Sequence, residues 1–112
     1  MATVEACEAA LRELAARLDE RGAGEHDRFE RTLSCTLRDL GVTFAGQLNG
    51  GRLRDIARQP AGSPAAQIRL EMSSDDLVKL VAGELNMASA WAAGRVRVHA
   101  GVRDMMRLRS LF

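Results

Sequence analysis

Residues 83–101, GELNMASAWAAGRVRVHAG, carry the signals that decide the fold. The only tryptophan of the chain, Trp91, lies here among alanines, ahead of Gly94 and an alternation of basic and apolar residues at 95–99. Small residues around one large aromatic side chain predict a short helix, and a glycine directly after it is a common left-handed helix stop. The alternation predicts a strand with one apolar and one wet face.

The N-terminal segment has helical periodicity, which predicts an amphipathic helix over residues 2–20. Gly22 and Gly24 follow it and predict its end. The residues of its apolar stripe recur at intervals of three and four, and they are Val4, Cys7, Leu11, Leu14 and Leu18.

Alternation of apolar and polar residues predicts strands at 32–38, 42–48 and 66–72. Asn49-Gly50-Gly51 is a hairpin signal, so residues 52–58 are expected to form the return strand, although their alternation is poor. Each strand is expected to have one apolar face.

A helix is predicted to start at Ser73-Ser74-Asp75-Asp76, where a hydroxyl caps free amides and carboxylates lie at the positive end of the helix dipole. Its inward stripe continues to Leu85. The segment 59–64 contains both prolines and is predicted to be a loop, and a last helix is predicted after Gly101.

Together these elements predict an α+β fold: a five-stranded, mainly antiparallel sheet with helices packed on one face. The 112 residues, the hydrophobic fraction of 46% and the net charge of +1 are those of an ordinary single globular domain over 1–112, with a helix at 2–20 and the sheet and helices at 30–112. Neither a membrane-spanning stretch nor a signal peptide is evident, which predicts a cytoplasmic location.

Residues 66–112 resemble the sterol carrier protein type-two (SCP2-like) lipid-binding family. The resemblance rests on an apolar strand at 67–72, a Ser/Asp cap before DDLVKLVAGELN, a short MASAWAAG helix, the strand RVRVHA, and Gly101 followed by VRDMMRLRSL. The hairpin VTFAGQLNGGRL matches more loosely. Two departures are Met87, where many members have proline, and the ending SLF, which is not a peroxisomal tripeptide.

The resemblance implies an apolar tunnel between the sheet and its helices for sterols, fatty acids or acyl thioesters, with no catalytic residues, cofactor or metal. We therefore predict non-enzymatic intracellular binding and transfer of an apolar ligand. Modest, reversible binding fits transport better than storage. The predicted cavity wall consists of Phe44, Ile68, Leu70, Leu77, Leu80, Val81, Leu85, Met87, Trp91, Val98, Val102, Met105 and Met106.

Residues with reactive side chains have ordinary structural interpretations. His26 and His99 lack the spacing of a zinc site and are expected at the surface. Cys35 lies on an apolar strand face, where a thiol is usually inert. Asp75 and Asp76 are better explained by helix capping than as paired acids.

Charge is unevenly distributed along the chain. Residues 1–30 contain eight acidic residues and four arginines, whereas residues 95–112 contain five arginines and one acidic residue. The basic end is a candidate for transient contact with an anionic membrane surface, or simply a solvated face. Nucleic-acid binding is not predicted, because the arginines are not interleaved with stacking aromatic residues.

Two other functions remain open from the sequence. One is a cyclase-type enzyme of secondary metabolism that folds a hydrophobic intermediate in the same cavity. The other is a structural module that forms a dimer or binds a partner protein. The ligand and the oligomeric state are not predicted.

Overall fold

The described residues, 2–21, 30–49, 52–60, 63–104 and 106, form three helices, five strands and a helical turn at 102–104 in this computed structural model. The elements are α1 (Val4–Arg21), β1 (Glu30–Leu37), β2 (Val42–Asn49), β3 (Arg52–Arg58), β4 (Ile68–Met72), α2 (Ser74–Ala82), α3 (Met87–Ala92) and β5 (Arg97–His99). The α+β prediction is confirmed. Gly22, Gly24, Gly50, Gly51 and His26 lie outside the described residues.

The strands form one mixed sheet in the order β3-β2-β1-β4-β5. The pairs β1–β2, β2–β3 and β4–β5 are antiparallel, whereas the central pair β1–β4 is parallel. The hairpin strands β2 and β3 occupy one side of β1, whereas β4, the next strand along the chain, lies on the other side. This crossover gives β4 the same direction as β1.

The poor alternation of residues 52–58 has a cause in the hairpin. The β2–β3 pairing shifts register between Ala45 and Gln47, and Asp55 has a left-handed backbone with a φ of 55°. A bulge adds one residue to a strand and changes which face the following side chains occupy. The predicted return strand is therefore present, but its side chains do not follow a strict period of two.

One face of the sheet is a continuous apolar layer. Cys35 is aligned with Phe44 on one side and with Leu70 on the other, and Leu70 is aligned with Val98. Aligned cross-strand partners lie on the same face and pack together. The buried apolar residues of the strands are Leu33, Cys35, Leu37, Val42, Phe44, Leu48, Leu53, Ile68, Leu70 and Met72.

The helix α1 completes the core on the side of β3. Cys7, Leu11 and Leu18 of its predicted stripe are buried in the same cluster as the strand residues. The guanidinium of Arg17 donates a hydrogen bond to the carbonyl of Val81, which joins α1 to α2. The N-terminal helix is therefore part of the core.

The start of α2 is capped as predicted, and the carboxylate of Asp39 also holds it. The Ser73 side chain accepts a hydrogen bond from the amide of Asp76. Ser74 is fully buried, and its amide and hydroxyl donate to the two carboxylate oxygens of Asp39 at 2.9 and 2.5 Å. Gly83 ends the helix in the left-handed region, with a φ of 79°, so Leu85 of the predicted helical stripe lies beyond the helix.

A short connection links α3 to the edge strand β5. Asn86 caps α3, and Gly94 follows the helix with a φ of 76°. The amides of Arg95 and Val96 both donate to the carbonyl of Ala90, so the strand begins at Arg97, two residues later than the predicted start.

Candidate functional site

The predicted cavity wall divides into three groups by exposure. Five of its residues are buried in the core: Phe44, Ile68, Leu70, Leu77 and Val81. Four are partly buried and pack against that core: Leu80, Leu85, Met87 and Val98. Three are exposed, namely Trp91, Val102 and Met106, and Met105 lies outside the described residues.

Trp91, which was assigned to the predicted cavity wall, lies outside the buried core. Its side chain is 53% exposed, whereas its neighbour Ala90 is 1% exposed. Successive residues of a helix are rotated by about 100°, so a short helix that buries Ala90 turns Trp91 outward. Trp91 is therefore available at the surface.

These exposed residues lie in α3 and in the segment that follows β5. We call α3, β5 and residues 101–104 and 106 the β5 margin. Val102 is 76% exposed and Met106 is 68% exposed. The helix α1 thus covers the apolar layer on the side of β3, whereas the described elements next to β5 carry exposed apolar side chains.

The interior beside α1 is nearly filled. A cavity of about 20 Å³ lies between α1 and the first three strands. This is close to the volume that one water molecule needs. The residues that line it are Leu11, Leu33, Cys35, Phe44, Ala45, Gly46, Leu53 and Ile56.

Two larger hollows adjoin the β2–β3 hairpin. One of about 350 Å³ lies between the hairpin and the segment 59–66, and another of about 660 Å³ adjoins Gly41, Thr43 and Ser63. Arg58, among other residues, lines both hollows, and neither contains a residue of the predicted wall. Each hollow touches the apolar layer at one residue, Leu33 in the smaller hollow and Val42 in the larger.

Both cysteines are free thiols within the apolar layer. Burial, with a smaller contribution from Cys7, raises the pKa of Cys35 to about 12. Burial also raises the pKa of Cys7, and the nearby carboxylates of Asp39 and Asp75 add to that effect. Both thiols are protonated at neutral pH and are poor nucleophiles, as predicted for Cys35.

An ion pair joins α2 to the connection between α3 and β5. Arg95 Nη2 lies 2.5 Å from Asp76 Oδ1, and the Asp76 side chain is 10% exposed. The carbonyl of Arg95 accepts a hydrogen bond from the Arg38 guanidinium at 3.2 Å. Asp76 therefore anchors the β5 margin to the packed part of the molecule.

A second ion pair holds the C-terminal helical turn. Arg31 Nε lies 3.3 Å from both carboxylate oxygens of Asp104, whose side chain is 15% exposed. Arg31 is on the same strand face as Leu33, at the end of the apolar layer. Residues 102–104 are thereby attached to the end of β1.

The remaining candidate groups have structural roles. His99 is exposed, as predicted, and its Nε2 lies 2.8 Å from Glu71 Oε2. Within the described ranges, no group of three or more His, Cys, Asp or Glu residues is arranged to hold a metal ion. No helix among these same residues is both long and apolar enough to cross a membrane.

Sequence reasoning missed residues of α1 and β3 that border the small cavity, such as Leu11 and Ile56. The helical stripe of α1 was visible, but the predicted wall was restricted to the sheet and the later helices. The pairs Arg31–Asp104 and Asp39–Ser74 were also missed, since their partners are separated by 73 and 35 residues.

Solved structures share this fold. Sterol Carrier Protein 2 Like 2 from Aedes aegypti superimposes with a TM-score of 0.72 at 10% identity, over 96% of this chain and 97% of that one. Sterol Carrier Protein 2 from the same organism, in complex with the C16 fatty acid palmitate, gives 0.69 at 18% identity, over 98% and 94%. These likenesses establish the fold.

The fold also forms part of a larger protein. The stereoselective inverting sec-alkylsulfatase Pisa1 from a Pseudomonas species matches with a TM-score of 0.66 at 24% identity over 88% of this chain. This chain spans only 15% of the length of that alkylsulfatase.

No curated protein sequence matches the chain. The sequence of residues 7–112 nevertheless matches the SCP-2 sterol transfer family. The match covers nearly the whole fold, from α1 to the C-terminal residue, and it confirms the resemblance found in the sequence. The chain belongs to the SCP-2 sterol transfer family.

Proposed function

We propose that the chain binds and transfers an apolar ligand such as a fatty acid, a sterol or an acyl thioester, without chemical change. The ligand lies between the apolar face of the sheet and the helices from Asp75 onward. The observation that carries the proposal is the continuous apolar layer, which α1 covers on one side and against which the partly buried Leu85, Met87 and Val98 pack on the other. Family membership and the palmitate complex of a relative support it.

Among the described residues, binding requires the layer to open. The cavity of about 20 Å³ is far smaller than the roughly 300–1,000 Å³ of typical ligand pockets. The partly buried residues Leu85, Met87 and Val98 have fewer contacts to lose than fully buried residues. We propose that α3 and residues 101–104 move away from the sheet and that the ligand enters beside β5.

The energetics of such binding favour transfer. Burying ten methylene groups gives about 8 kcal/mol, whereas association costs about 4–15 kcal/mol. Opening the layer adds a further cost. The ligand is therefore held reversibly and exchanges with other carriers or membranes.

The groups within the layer support a binding role over a catalytic one. Among the described residues, the ionisable side chains buried in the apolar core are the thiols of Cys7 and Cys35. Both thiols have raised pKa values. Neither is a general acid or base at neutral pH. Two free thiols also fit a reducing compartment, so a cytoplasmic location is part of the proposal.

Titration of delipidated protein with palmitate tests the proposal. A ligand that binds the folded state alone, at about a hundred times its Kd, stabilises that state by about 2.7 kcal/mol, so the melting temperature rises. Trp91 fluorescence should change as well, because α3 moves. No change in either signal with palmitate, palmitoyl thioester or cholesterol would contradict the proposal.

A matched pair of variants locates the site. Leu85→Ala and Leu14→Ala each truncate a partly buried leucine that packs against the core. Only Leu85 belongs to the predicted wall, so Leu85→Ala should weaken palmitate binding several-fold, by about 1 kcal/mol or more, while Leu14→Ala leaves it unchanged. Equal effects on binding would place the ligand elsewhere.

A further inference from the structure

The smaller of the two hollows beside the β2–β3 hairpin has the volume of a small-molecule site. Its volume of about 350 Å³ lies within the roughly 300–1,000 Å³ of typical ligand pockets. Much of its lining belongs to the sheet face opposite the apolar layer, where Thr32 is aligned with Gln47, and Ala45 with Ala57. A molecule bound here would contact the sheet from the side that the helices do not cover.

Two charges of opposite sign line this hollow without neutralising each other. Among the described residues around it, Asp55 and Arg58 are the charged ones. Both are exposed, and within the described part of the chain neither forms an ion pair, with the other or with any further residue. Three positions along β3 separate them, at most about 11 Å between Cα atoms. A ligand with two opposite charges can therefore lie between them.

The bulge in the hairpin directs Asp55 toward the hollow. Leu53 and Ile56 both line the small cavity beside α1. In a regular strand these two residues would face opposite sides, and Asp55 would share the side of Leu53. Asp55 instead has a φ of 55° and lines the hollow on the other face. Positive φ is uncommon outside glycine, and bulges often re-aim a side chain next to a functional site.

Hydrogen bonds hold the described parts of the segment 59–67 against the sheet. The Gln59 amide donates to the Thr43 carbonyl at 2.7 Å, and Gln59 Nε2 donates to the Pro64 carbonyl at 3.1 Å. The amides of Gln67 and Thr32 each donate to the side-chain oxygen of the other residue, at 2.8 and 3.1 Å. This wall of the hollow is thus formed in advance, which lowers the cost of ordering it on binding.

We propose that this hollow binds a free α-amino acid with an apolar side chain. The ligand carboxylate pairs with the Arg58 guanidinium, whose planar fork suits a carboxylate, and the ligand ammonium pairs with the Asp55 carboxylate. The ligand side chain packs against the apolar lining, which includes Ala45, Ala57 and Pro60. This site is independent of the proposed lipid binding.

The two charges favour a zwitterion over a simple ion. An anion bound to Arg58 alone would be repelled by the Asp55 carboxylate, and a cation bound to Asp55 alone would be repelled by the Arg58 guanidinium. A zwitterion that pairs with both groups turns each repulsion into an attraction.

Titration with leucine, followed by amide NMR, tests the proposal. The amide signals of Asp55, Ala57, Arg58 and Gln59 should shift, with a Kd on the order of 1 mM because exposed ion pairs are weak. N-acetylleucine lacks the ammonium and leucinamide lacks the carboxylate, so each should bind about fivefold more weakly than leucine.

Variants separate the site from a general charge effect. Arg58→Gln and Asp55→Asn should each weaken leucine binding about fivefold. Asparagine tolerates positive φ as aspartate does, so Asp55→Asn retains the backbone of the bulge. The matched control is Arg54→Gln, an exposed arginine of the same strand that pairs with Asp19 and lines neither hollow. It should bind leucine like the parent protein.

Three results would overturn the proposal. The first is the absence of shifts at about 50 mM leucine, far above the expected Kd. The second is equal binding of leucine and either of its singly charged analogues. The third is an equal effect of Arg58→Gln and Arg54→Gln. Shifts at the named amides that weaken in Arg58→Gln and Asp55→Asn, but not in Arg54→Gln, would support it.

Discussion

Phe44 and Trp91 are both large aromatic residues in apolar stretches, yet Phe44 is 2% exposed and Trp91 is 53% exposed. Phe44 lies in the packed half of the molecule, formed by α1 and β1–β3, whereas Trp91 lies in the β5 margin. The two regions use similar apolar residues for different purposes. One provides the stability of the fold, and the other leaves apolar surface available.

Element length explains the difference. The helix α1 has 18 residues and the strands β1 and β2 have eight each. The helix α3 has six residues and β5 has three. A helix of fewer than two turns offers few inward positions, and a three-residue strand offers little surface to cover them. The β5 margin is therefore expected to open at lower free energy than the packed half.

Truncation of the two aromatic residues should give the largest contrast. Phe44→Ala leaves a cavity in the core and should lower the free energy of unfolding by about 3–5 kcal/mol. Trp91→Ala should lower it by less than about 1 kcal/mol, because half of the side chain is already in water. Urea denaturation followed by far-UV circular dichroism measures both. Similar losses would show that the β5 margin is as closely packed as the core.

Loss of the Asp76–Arg95 ion pair should have an intermediate effect. Arg95→Gln leaves a carboxylate of 10% exposure without its cation, and should lower the free energy of unfolding by about 1–2 kcal/mol. The matched control is Arg97→Gln, two residues along the chain, with no ion pair among the described residues. If both variants lose the same stability by denaturant titration, the pair does not anchor the β5 margin.

Loss of the Arg31–Asp104 ion pair should act locally. Arg31→Gln should speed amide exchange of residues 102–104 several-fold while changing global stability by less than about 1 kcal/mol. Arg54→Gln removes a surface pair with Asp19 in the packed half and should leave exchange at 102–104 unchanged. Hydrogen exchange followed by mass spectrometry or NMR distinguishes the two, and unchanged exchange at 102–104 in Arg31→Gln would refute the role of this pair.

Acidification should weaken the contact between Asp39 and Ser74. The expected loss of stability is smaller than in the substitutions above. Hydrogen bonds from Ser74 lower the pKa of Asp39 in the folded state. The folded state thus binds this proton less readily than the unfolded state, so the stabilisation is present above the ordinary pKa and is lost as the pH falls through the lower folded value. Asp39→Asn should show a weaker decline in stability on acidification. An unchanged decline in Asp39→Asn would contradict the assignment.

Local signals in the sequence were sufficient for most of the fold. The alternating strands, the Ser73 cap and the left-handed turn at Gly94 depend on neighbouring residues, and the structure has each of them. The parallel β1–β4 pair depends on how the chain crosses the sheet, which no local pattern specifies.

The candidate site was harder to predict. Periodicity identified the apolar side of each element but not how much of it another element covers, so Phe44 and Val102 received the same assignment. Burial depends on contacts between distant segments, such as the one that Arg31 makes with Asp104. Those contacts divide the predicted wall into a packed part and an exposed part.

Methyl NMR of delipidated protein during palmitate titration tests most directly whether the ligand enters the apolar layer at the β5 margin. The account predicts large shift changes for the methyl groups of Leu80, Leu85, Met87 and Val98, and small ones for Leu11 and Leu53 beside α1. Unchanged spectra, or changes confined to residues around the hollows at Thr43 and Ala57, would contradict it.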